Sequence, residues 1–239
     1  MLKYDLHIHT VASGHAHNTL LEYINQAKGL KMKAIGISEH GPSMDGAAIN
    51  EVYFRVLDRL PEIVHGIRIL RGIEANIIDA KGSIDISEKI IGKLDYIMAS
   101  LHSGTPYKER GKKMNTEATI KAIRSGKIDI LTHPFFTKDF PMDVEKIFKE
   151  ACLHNVMLEI NLSYVKERKI QPDTFENLKK MISTVKKYKK KVIVGSDAHN
   201  IWELADDSGL EKIMDKIGLK ENMIINNYPK ELFAQLEIE

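Results

Sequence analysis

The sequence has little cysteine, no long apolar run and no excess of one charge. Cys152 is the single cysteine, so no disulfide can form within the chain and a cysteine-rich structural zinc site is excluded. A reducing compartment such as the cytoplasm is the expected location. No apolar run approaches the roughly 20 residues that a bilayer span needs, and the first residues lack the apolar core of a secretory signal. We therefore expect no membrane association.

The charges of the chain are nearly balanced. There are 35 basic and 33 acidic residues, which leaves a formal net charge of +2. Duplex nucleic acid is not the expected partner of so balanced a chain. The 239 residues suffice for one sizeable core, and no linker or low-complexity tract divides them. We predict one domain over residues 1–239.

Short apolar strands alternate with amphipathic helical segments along the whole chain. This order predicts parallel strand pairing with helical crossovers, an α/β architecture. The predicted strands are 4–8, 34–37, 67–73, 94–99, 128–131, 156–160 and 192–194. The predicted helices are 19–29, 50–64, 116–125, 144–154, 172–188, 202–217 and 230–236.

Every predicted strand runs into a polar side chain that could bind a metal ion or orient a ligand. In a parallel barrel these strand ends form one face, which carries the chemistry. Seven strands instead of eight predict a distorted or incomplete barrel. In chain order the residues are His7 and His9, Glu39 and His40, Glu74, His102, His133, Glu159 and Asn161, and Asp197 and His199.

Two short motifs at opposite ends of the chain have metal-ligand spacing. His7 and His9 are two residues apart on a strand, which puts both imidazoles on the same side. Asp197 and His199 repeat this spacing. Imidazole with carboxylate suits zinc, manganese or iron better than calcium or magnesium. Glu74 could bridge two ions, because a carboxylate offers two oxygens and neutralises charge between cations.

The ordered set of motifs resembles the polymerase-and-histidinol-phosphatase (PHP) family, and within it the small stand-alone bacterial phosphatases. The resemblance extends over residues 4–236 and implies a distorted (β/α)7 barrel with three divalent ions, zinc first and manganese or iron as alternatives. The motifs are DLHIHT at 5–10, ISEHGP at 37–42, RGIEAN at 71–76, LTHP at 131–134, LEIN at 158–161 and GSDAH at 195–199.

The resemblance also implies a ligand set, with a ligand-type residue at all nine positions. His17 could replace His15 only if the loop between them had a different register. The first ion would take His7, His9, Glu74 and Asp197, the second Glu74, His102 and His133, and the third His15, His40 and His199.

A few other polar residues are candidates for supporting roles. Glu159 and Asn161 alternate to the same side of a strand and could orient ligands or water, or simply fill a layer of the barrel. Arg110 lies in the basic segment 103–113 and could reach a substrate phosphate, or that segment could be a solvated loop. Tyr107 and Trp202 could line a pocket, with core packing or surface exposure as the alternatives.

The expected function is hydrolysis of a phosphate monoester of a small metabolite. Bound ions would lower the pKa of water, so that hydroxide attacks phosphorus and no protein side chain acts as nucleophile. Histidinol phosphate is one candidate substrate. The alternatives are a phosphodiesterase or 3'-5' exonuclease of the same family and a metal-binding protein without activity. The sequence leaves open whether the protein forms a homo-oligomer.

Overall fold

The computed structural model describes residues 2–46, 49–166 and 170–238. Within these ranges, no helix combines the length and the apolar character that crossing a membrane requires.

Seven parallel strands within the described residues form a nearly closed barrel, as the sequence predicts. Neighbouring strands pair in the order β1-β2-β4-β5-β6-β7-β8, and the short β3 pairs antiparallel with the start of β4. The strands are β1 Tyr4–Ile8, β2 Ala34–Ile37, β3 Ile63–Val64, β4 Ile67–Asn76, β5 Tyr96–Ser100, β6 Ile130–Leu131, β7 Met157–Asn161 and β8 Ile193–Gly195.

The barrel closes between its first and last strands, at their carboxyl ends. Ile8 forms a parallel bridge with Ala198. The backbone N–H of His9 donates to the carbonyl oxygen of Ala198 at 2.9 Å, and that of Ala198 donates to His7 at 3.3 Å. Closure therefore brings the two predicted ligand motifs side by side.

Helices cover the outside of the barrel. The helices are α1 Leu20–Gly29, α2 Glu51–Arg55, α3 Glu88–Ile91, α4 Gly111–Arg124, α5 Val144–Leu153, α6 Leu162–Val165, α7 Pro172–Lys187, α8 Ser208–Glu211, α9 Met214–Ile217 and α10 Pro229–Gln235.

The start of α1 shows how local sequence determines an element. Thr19 and Glu22 form a reciprocal capping box, in which the Glu22 carboxylate accepts the Thr19 backbone N–H at 2.7 Å. This arrangement satisfies amide groups that a helix start otherwise leaves without partners. Tyr23, Ile24 and Ala27 then form the buried face of the helix.

A compact apolar cluster fills the interior of the barrel below the polar face. Tyr96 lies within it, and its hydroxyl donates to the carbonyl oxygen of Leu6 at 2.6 Å. A Cβ at Gly36 would overlap the Tyr96 side chain, so glycine is needed there. With this packing the barrel is not a pore, and its chemistry is confined to one end. The cluster comprises Leu6, Leu70, Tyr96, Met98, Ile130, Met157, Ile193, Ile225, Leu232 and Leu236.

The predicted helix over residues 50–64 is wrong. The structure has only α2, a short 3-10 turn at Leu57–Arg59 and then strand β3. Pro61 cannot continue a helix, because it lacks an N–H and clashes with the preceding turn. His65 and Gly66 have φ values of 51° and 82°, a pair typical of a tight hairpin turn.

The predicted helix over residues 202–217 is also wrong, because the structure breaks it into α8 and α9. Ala205 has a φ of 54°, which ends a helical run. The Ser208 hydroxyl then donates to Asp206 at 2.7 Å, a local bond that competes with helix formation. Elsewhere α4 begins at Gly111, five residues before the predicted helix start. Strand β4 extends to Asn76 beyond its predicted end at residue 73, so Glu74 lies within the strand.

Candidate metal centre

Asp197 meets His7 of β1 and His9, the residue after β1, at the barrel closure. Oδ1 of Asp197 lies 3.4 Å from Nε2 of His7 and 3.2 Å from Nε2 of His9. Both imidazoles are fully buried. The three donor atoms lie within 4.8 Å of one another, a spacing at which one ion could be held.

The two oxygens of the Glu74 carboxylate face two different sets of histidines. Oε1 lies 3.2 Å from Nε2 of His102 and 3.2 Å from Nε2 of His133. Oε2 lies 3.4 Å from Nε2 of His7 and 2.9 Å from Nδ1 of His40. A carboxylate in this position could bridge two cations.

A third group of imidazoles lies on the open side of the centre. The His40 ring stacks on that of His9 at 4.4 Å between centroids, and His199 lies 4.6 Å from His9. The His15 ring is 5.1 Å from that of His40 and 4.8 Å from that of His199. All nine residues that the resemblance implies therefore lie in one continuous cluster.

The closest donor groups differ in part from the implied partition into three ions. Three groups within the described residues have ligand atoms within 4.8 Å of one another, and His9 and His40 each belong to two. His15 belongs to none of them, and its Nδ1 lies 3.3 Å from the carbonyl oxygen of Ser13. The groups are His9, His40 and His199; His7, His9 and Asp197; and His40, Glu74 and His102.

Buried nitrogen atoms without partners test whether the centre suits metal ions. Nε2 of His7, both ring nitrogens of His9 and Nδ1 of His40 are buried without a hydrogen-bond partner of good geometry. An unpaired buried polar atom is costly, so native proteins leave few of them. Imidazole nitrogens that point toward ionised carboxylates are the donors that zinc, manganese or iron accept. The residues present fit divalent ions.

The two carboxylates of the centre stay ionised despite their burial. Burial raises the pKa of Glu74, but His7, His102 and His40 together outweigh it and hold the pKa well below its usual range. Burial likewise raises the pKa of Asp197, but His7 and His9 outweigh it and hold the pKa well below its usual range. Both groups are therefore available as anionic ligands.

The pKa values of the His7 and His9 imidazoles shift in opposite directions. Burial lowers the pKa of His9 to about 3, helped by the neighbouring His40. Burial also lowers the pKa of His7, but Glu159 and Glu74 outweigh it and leave the pKa well above its usual value. His9 is therefore neutral, the form in which an imidazole binds a metal.

Two of the candidate ligands have unusual backbone geometry. His133 has a φ of 34° and Asp197 a φ of 53°, values that residues other than glycine seldom adopt. Such residues persist where surrounding structure compensates for them, and they concentrate at functional sites. The backbone N–H of His133 donates to Oε2 of Glu159 at 2.9 Å.

An irregularity in β1 directs both histidines toward the centre. Asp5 pairs with Ile35 and Ile8 with Ile37, so β1 has one more residue than β2 between these pairs. A bulge of this kind re-aims side chains and is common beside active sites. Leu6 packs in the barrel interior, whereas Ile8 packs in the outer core.

Glu159 and Asn161 contact two of the candidate ligands. Oε1 of Glu159 lies 2.6 Å from Nδ1 of His7. Nδ2 of Asn161 donates to Oδ2 of Asp197 at 3.1 Å. A Cβ at Gly195 would overlap the Glu159 carboxylate, so glycine lets that carboxylate pass against β8.

Further polar side chains lie beneath the candidate ligands, and two of them, Asn76 and Asp85, were not singled out from the sequence. Glu39 is buried beside His9 and accepts the backbone N–H of Thr10 at 3.0 Å, and burial raises its pKa to about 7. Asn76 contacts His102, and Asp85 contacts Asn76. Glu39 is already among the strand-end candidates of the sequence, and Asn76 lies two residues after Glu74 in the RGIEAN motif, a spacing that could have identified it. Asp85 lies in a connecting segment without such a signal.

The other candidates from the sequence, Arg110, Tyr107 and Trp202, lie outside the ligand cluster. The Arg110 guanidinium lies over the ring of Tyr107, 5.7 Å from its centroid, and its backbone N–H donates to Asn115. Tyr107 is buried in the core, and Trp202 is exposed. The structure does not bring these three side chains into the ligand cluster.

A cavity of about 290 Å³ opens beside the centre. The candidate ligands His102 and Asp197 line one part of it, and Phe136 and Phe140 line another. Within the described residues, its lining contains no lysine or arginine. Further lining residues are Met44, Ser100, Leu101, Ser103, Asp139, Met142 and Tyr164.

By its fold and its site, the protein is an α/β barrel of seven parallel strands with a histidine–carboxylate cluster at the carboxyl ends of the strands. A family model described as RNase P subunit p30 matches residues 2–231. The chain therefore belongs to this family. The match names a different family from the PHP family that the motifs resemble.

Solved structures with the same fold have low sequence identity to this chain. Histidinol phosphate phosphatase from Lactococcus lactis, solved with zinc, L-histidinol and phosphate, is 17% identical with a TM-score of 0.63, over 91% of this chain and 94% of that one. A candidate histidinol phosphatase from Listeria monocytogenes is 16% identical with a TM-score of 0.62, over 87% and 99%.

A third structure connects the fold with the family match. A chain of archaeal ribonuclease P, solved by cryo-electron microscopy with mature tRNA, is 16% identical with a TM-score of 0.59, over 98% of this chain and 88% of that one. Likeness at these identities shows the shared barrel fold.

Proposed function

We propose that this protein hydrolyses phosphate monoesters of a small molecule at a centre of three divalent ions, as a PHP-type phosphatase. The observation that supports it best is the Glu74 carboxylate, whose two oxygens face separate sets of imidazoles. A buried bridging carboxylate among histidines is typical of multinuclear hydrolytic sites. Zinc is the proposed metal because imidazole nitrogen dominates the donor set.

The proposed ligands are the nine residues that cluster at the barrel face. His9 and His40 lie between neighbouring donor groups, so either could contribute to a different ion from the one that the resemblance implies. His7, His9, Glu74 and Asp197 would hold one ion, Glu74, His102 and His133 the second, and His15, His40 and His199 the third.

The ions would supply Lewis acidity and a lowered pKa for water, which makes a nucleophile available near neutral pH. The chain's own residues hold this centre in shape. Glu159 orients the ring of His7 and the backbone of His133. Asn161 orients Asp197 and caps α6 by accepting the backbone N–H of Ser163. We propose no side chain as nucleophile.

The cavity favours a small substrate over a nucleic acid strand. Its volume of about 290 Å³ is at the lower end of small-molecule pockets. Phe136, Phe140 and Met142 give it an apolar wall, and Asp139 adds a negative charge. Since lysine and arginine are absent from its described lining, further phosphates of a strand would have no counter-charge there. The Lactococcus lactis phosphatase was solved with a small alcohol and phosphate, which agrees with this reading.

Paired chromogenic substrates test the proposal. Hydrolysis of p-nitrophenyl phosphate and bis-p-nitrophenyl phosphate is measured after loading with zinc or manganese. We expect monoester hydrolysis to dominate. Dominant diester hydrolysis would favour a phosphodiesterase or nuclease, and no hydrolysis of either compound would favour a metal-binding protein. A panel of phosphorylated metabolites that includes histidinol phosphate would then identify the substrate.

The family match favours a second candidate, a role on RNA. The chain belongs to the RNase P subunit p30 family, and an archaeal ribonuclease P chain shares its fold. Under this reading the barrel would bind RNA or a protein partner. Fluorescence anisotropy with labelled precursor tRNA at stated salt concentrations tests it. Submicromolar binding with a steep salt dependence would support the RNA role, and binding weaker than that of an unrelated neutral protein would exclude it.

A further inference from the structure

A buried amide at the end of β4 lies directly behind one of the proposed ligands. Asn76 is fully buried, and its Oδ1 lies 2.7 Å from Nδ1 of His102. On the opposite side of that ring, Nε2 lies 3.2 Å from Oε1 of Glu74. The His102 ring is therefore held between an amide and the bridging carboxylate.

The carboxylate of Asp85 determines which end of the Asn76 amide faces His102. Nδ2 of Asn76 donates to Oδ2 of Asp85 at 2.6 Å, and the Asn76 backbone N–H donates to Oδ1 at 2.7 Å. An ionised carboxylate only accepts hydrogen bonds, so the amide must turn its NH₂ toward Asp85. Its oxygen then faces His102, whose Nδ1 must carry the proton and whose Nε2 is left free to bind a metal.

The same carboxylate also holds the loop that follows His40. Oδ2 of Asp85 accepts the backbone N–H of Ser43 at 2.9 Å. Nδ2 of Asn76 donates to the carbonyl oxygen of Gly41 at 3.2 Å. A Cβ at position 41 would overlap the Asp85 carboxylate, so Gly41 permits this approach. Asp85 thus connects the segments that carry two ligands, His40 and His102.

We propose that Asp85 is a positioning residue of the metal centre. It selects the orientation of the Asn76 amide, and through it the tautomer of His102, while it fixes the loop that presents His40. This inference rests on the proposed metal centre, although its claim about the His102 tautomer can be measured without metal. A purely structural alternative is that Asp85 only anchors the loop.

Asp85→Asn distinguishes the two roles. An asparagine at 85 can itself offer NH₂, so only the carbonyl oxygen of Gly41 still requires the NH₂ group of Asn76. A fraction of the Asn76 amide can then rotate and offer NH₂ to Nδ1 of His102. Nε2 would then carry the proton and could not bind a metal. We expect the zinc affinity of one site to fall about 10–100-fold, the usual effect of removing a group that is hydrogen-bonded to a metal ligand.

The experiment combines zinc titration with nitrogen-15 NMR of the histidine rings. Zinc affinity is measured by competition with a chromophoric chelator, and the His102 tautomer is assigned in metal-free protein. We expect the Nδ1–H form in the wild type and a mixture in Asp85→Asn. The matched control is Asp79→Asn, since Asp79 caps the preceding turn by accepting the backbone N–H groups of Lys81 and Ser83.

Two further variants keep the test decisive. The pair Asp85→Asn with Asn76→Asp places a carboxylate against Nδ1 of His102, and we expect the Nδ1–H tautomer and much of the zinc affinity to return. Asn76→Ala removes the acceptor but keeps the backbone bond to Asp85, so it tests the same link if Asp85→Asn fails to fold.

The possible results separate this inference from the proposed function. Unchanged zinc affinity and an unchanged tautomer in Asp85→Asn, with a lower melting temperature alone, would overturn the positioning role. If the wild type binds no zinc, the proposed function fails, and the tautomer measurement still decides the role of Asp85.

Discussion

Glu159 and His7 form a fully buried pair, with Oε1 of the carboxylate 2.6 Å from Nδ1 of the ring. The other carboxylate oxygen accepts the backbone N–H of His133. One side chain on β7 therefore contacts two proposed ligands, His7 on β1 and His133 just after β6. Carboxylates in this position fix the tautomer of a metal-binding histidine and raise its basicity.

The first prediction follows from this pair. Glu159→Gln should weaken metal binding and lower phosphatase activity about 10–100-fold, because a neutral amide no longer stabilises the His7 ring. Zinc titration and turnover measure the effect, with the exposed Glu176→Gln as the control. Equal affinity and turnover in Glu159→Gln and the wild type would show that the pair is only structural.

The second prediction concerns the bridge. Glu74→Gln preserves shape but leaves one oxygen and removes the negative charge between two groups of histidines. We expect a loss of turnover of at least about 10²-fold. Metal content is measured on the same sample. Wild-type turnover in a fully metallated Glu74→Gln protein would refute a bridging role for Glu74.

The third prediction concerns the number of ions. Elemental analysis of metal-replete protein should give three ions per chain, and His40→Ala should lower that number by one. His154→Ala is the control, because His154 follows α5 and pairs with Glu150 instead of the centre. Active, fully loaded wild type with a single ion would contradict the trinuclear proposal.

The fourth prediction concerns acid and chelators. The imidazole ligands must be neutral to bind metal, and an unperturbed imidazole titrates near pH 6.5. Protons therefore compete with metal as the pH falls. We expect activity to be highest at neutral to alkaline pH, and to be lost on chelation and regained with zinc. A pH–rate profile with its maximum near pH 5 would count against the proposed mechanism.

The fifth prediction uses a carboxylate far from the centre. Asp129 precedes β6, and burial raises its pKa to about 6 although its Oδ2 accepts the backbone N–H of Ile97 at 2.8 Å. The folded state thus binds this proton more tightly than the unfolded chain. The stability that protonated Asp129 contributes is complete at low pH and is lost as the pH rises through about 6.

Asp129→Asn should remove this dependence, because the amide oxygen still accepts the bond without a buried charge. We expect the melting temperature of the variant to exceed that of the wild type by a few degrees at pH 8, with little difference at pH 4. Thermal unfolding at both pH values measures this. An equal difference at both would show that ionisation of Asp129 does not govern it.

The alternation of strands and helices was predictable, because the periodicity of apolar residues reflects which faces are buried. The two failed helices show the limit of that pattern. Pro61 and the His65–Gly66 turn replace the second half of one helix, and Ala205 interrupts the other. In these segments, local backbone geometry and strand pairing outweighed helix-like spacing.

By itself, the sequence determined that seven parallel strands would place histidines and carboxylates at one face. The reason is geometric, since parallel strands end together and alternate residues share a side. Only the tertiary structure decided how those side chains group. The bulge in β1 and the positive φ of His133 and Asp197 set their directions. Asp85 joins the centre through contacts with Asn76 of β4 and with the loop after β2, which no spacing along the chain encodes.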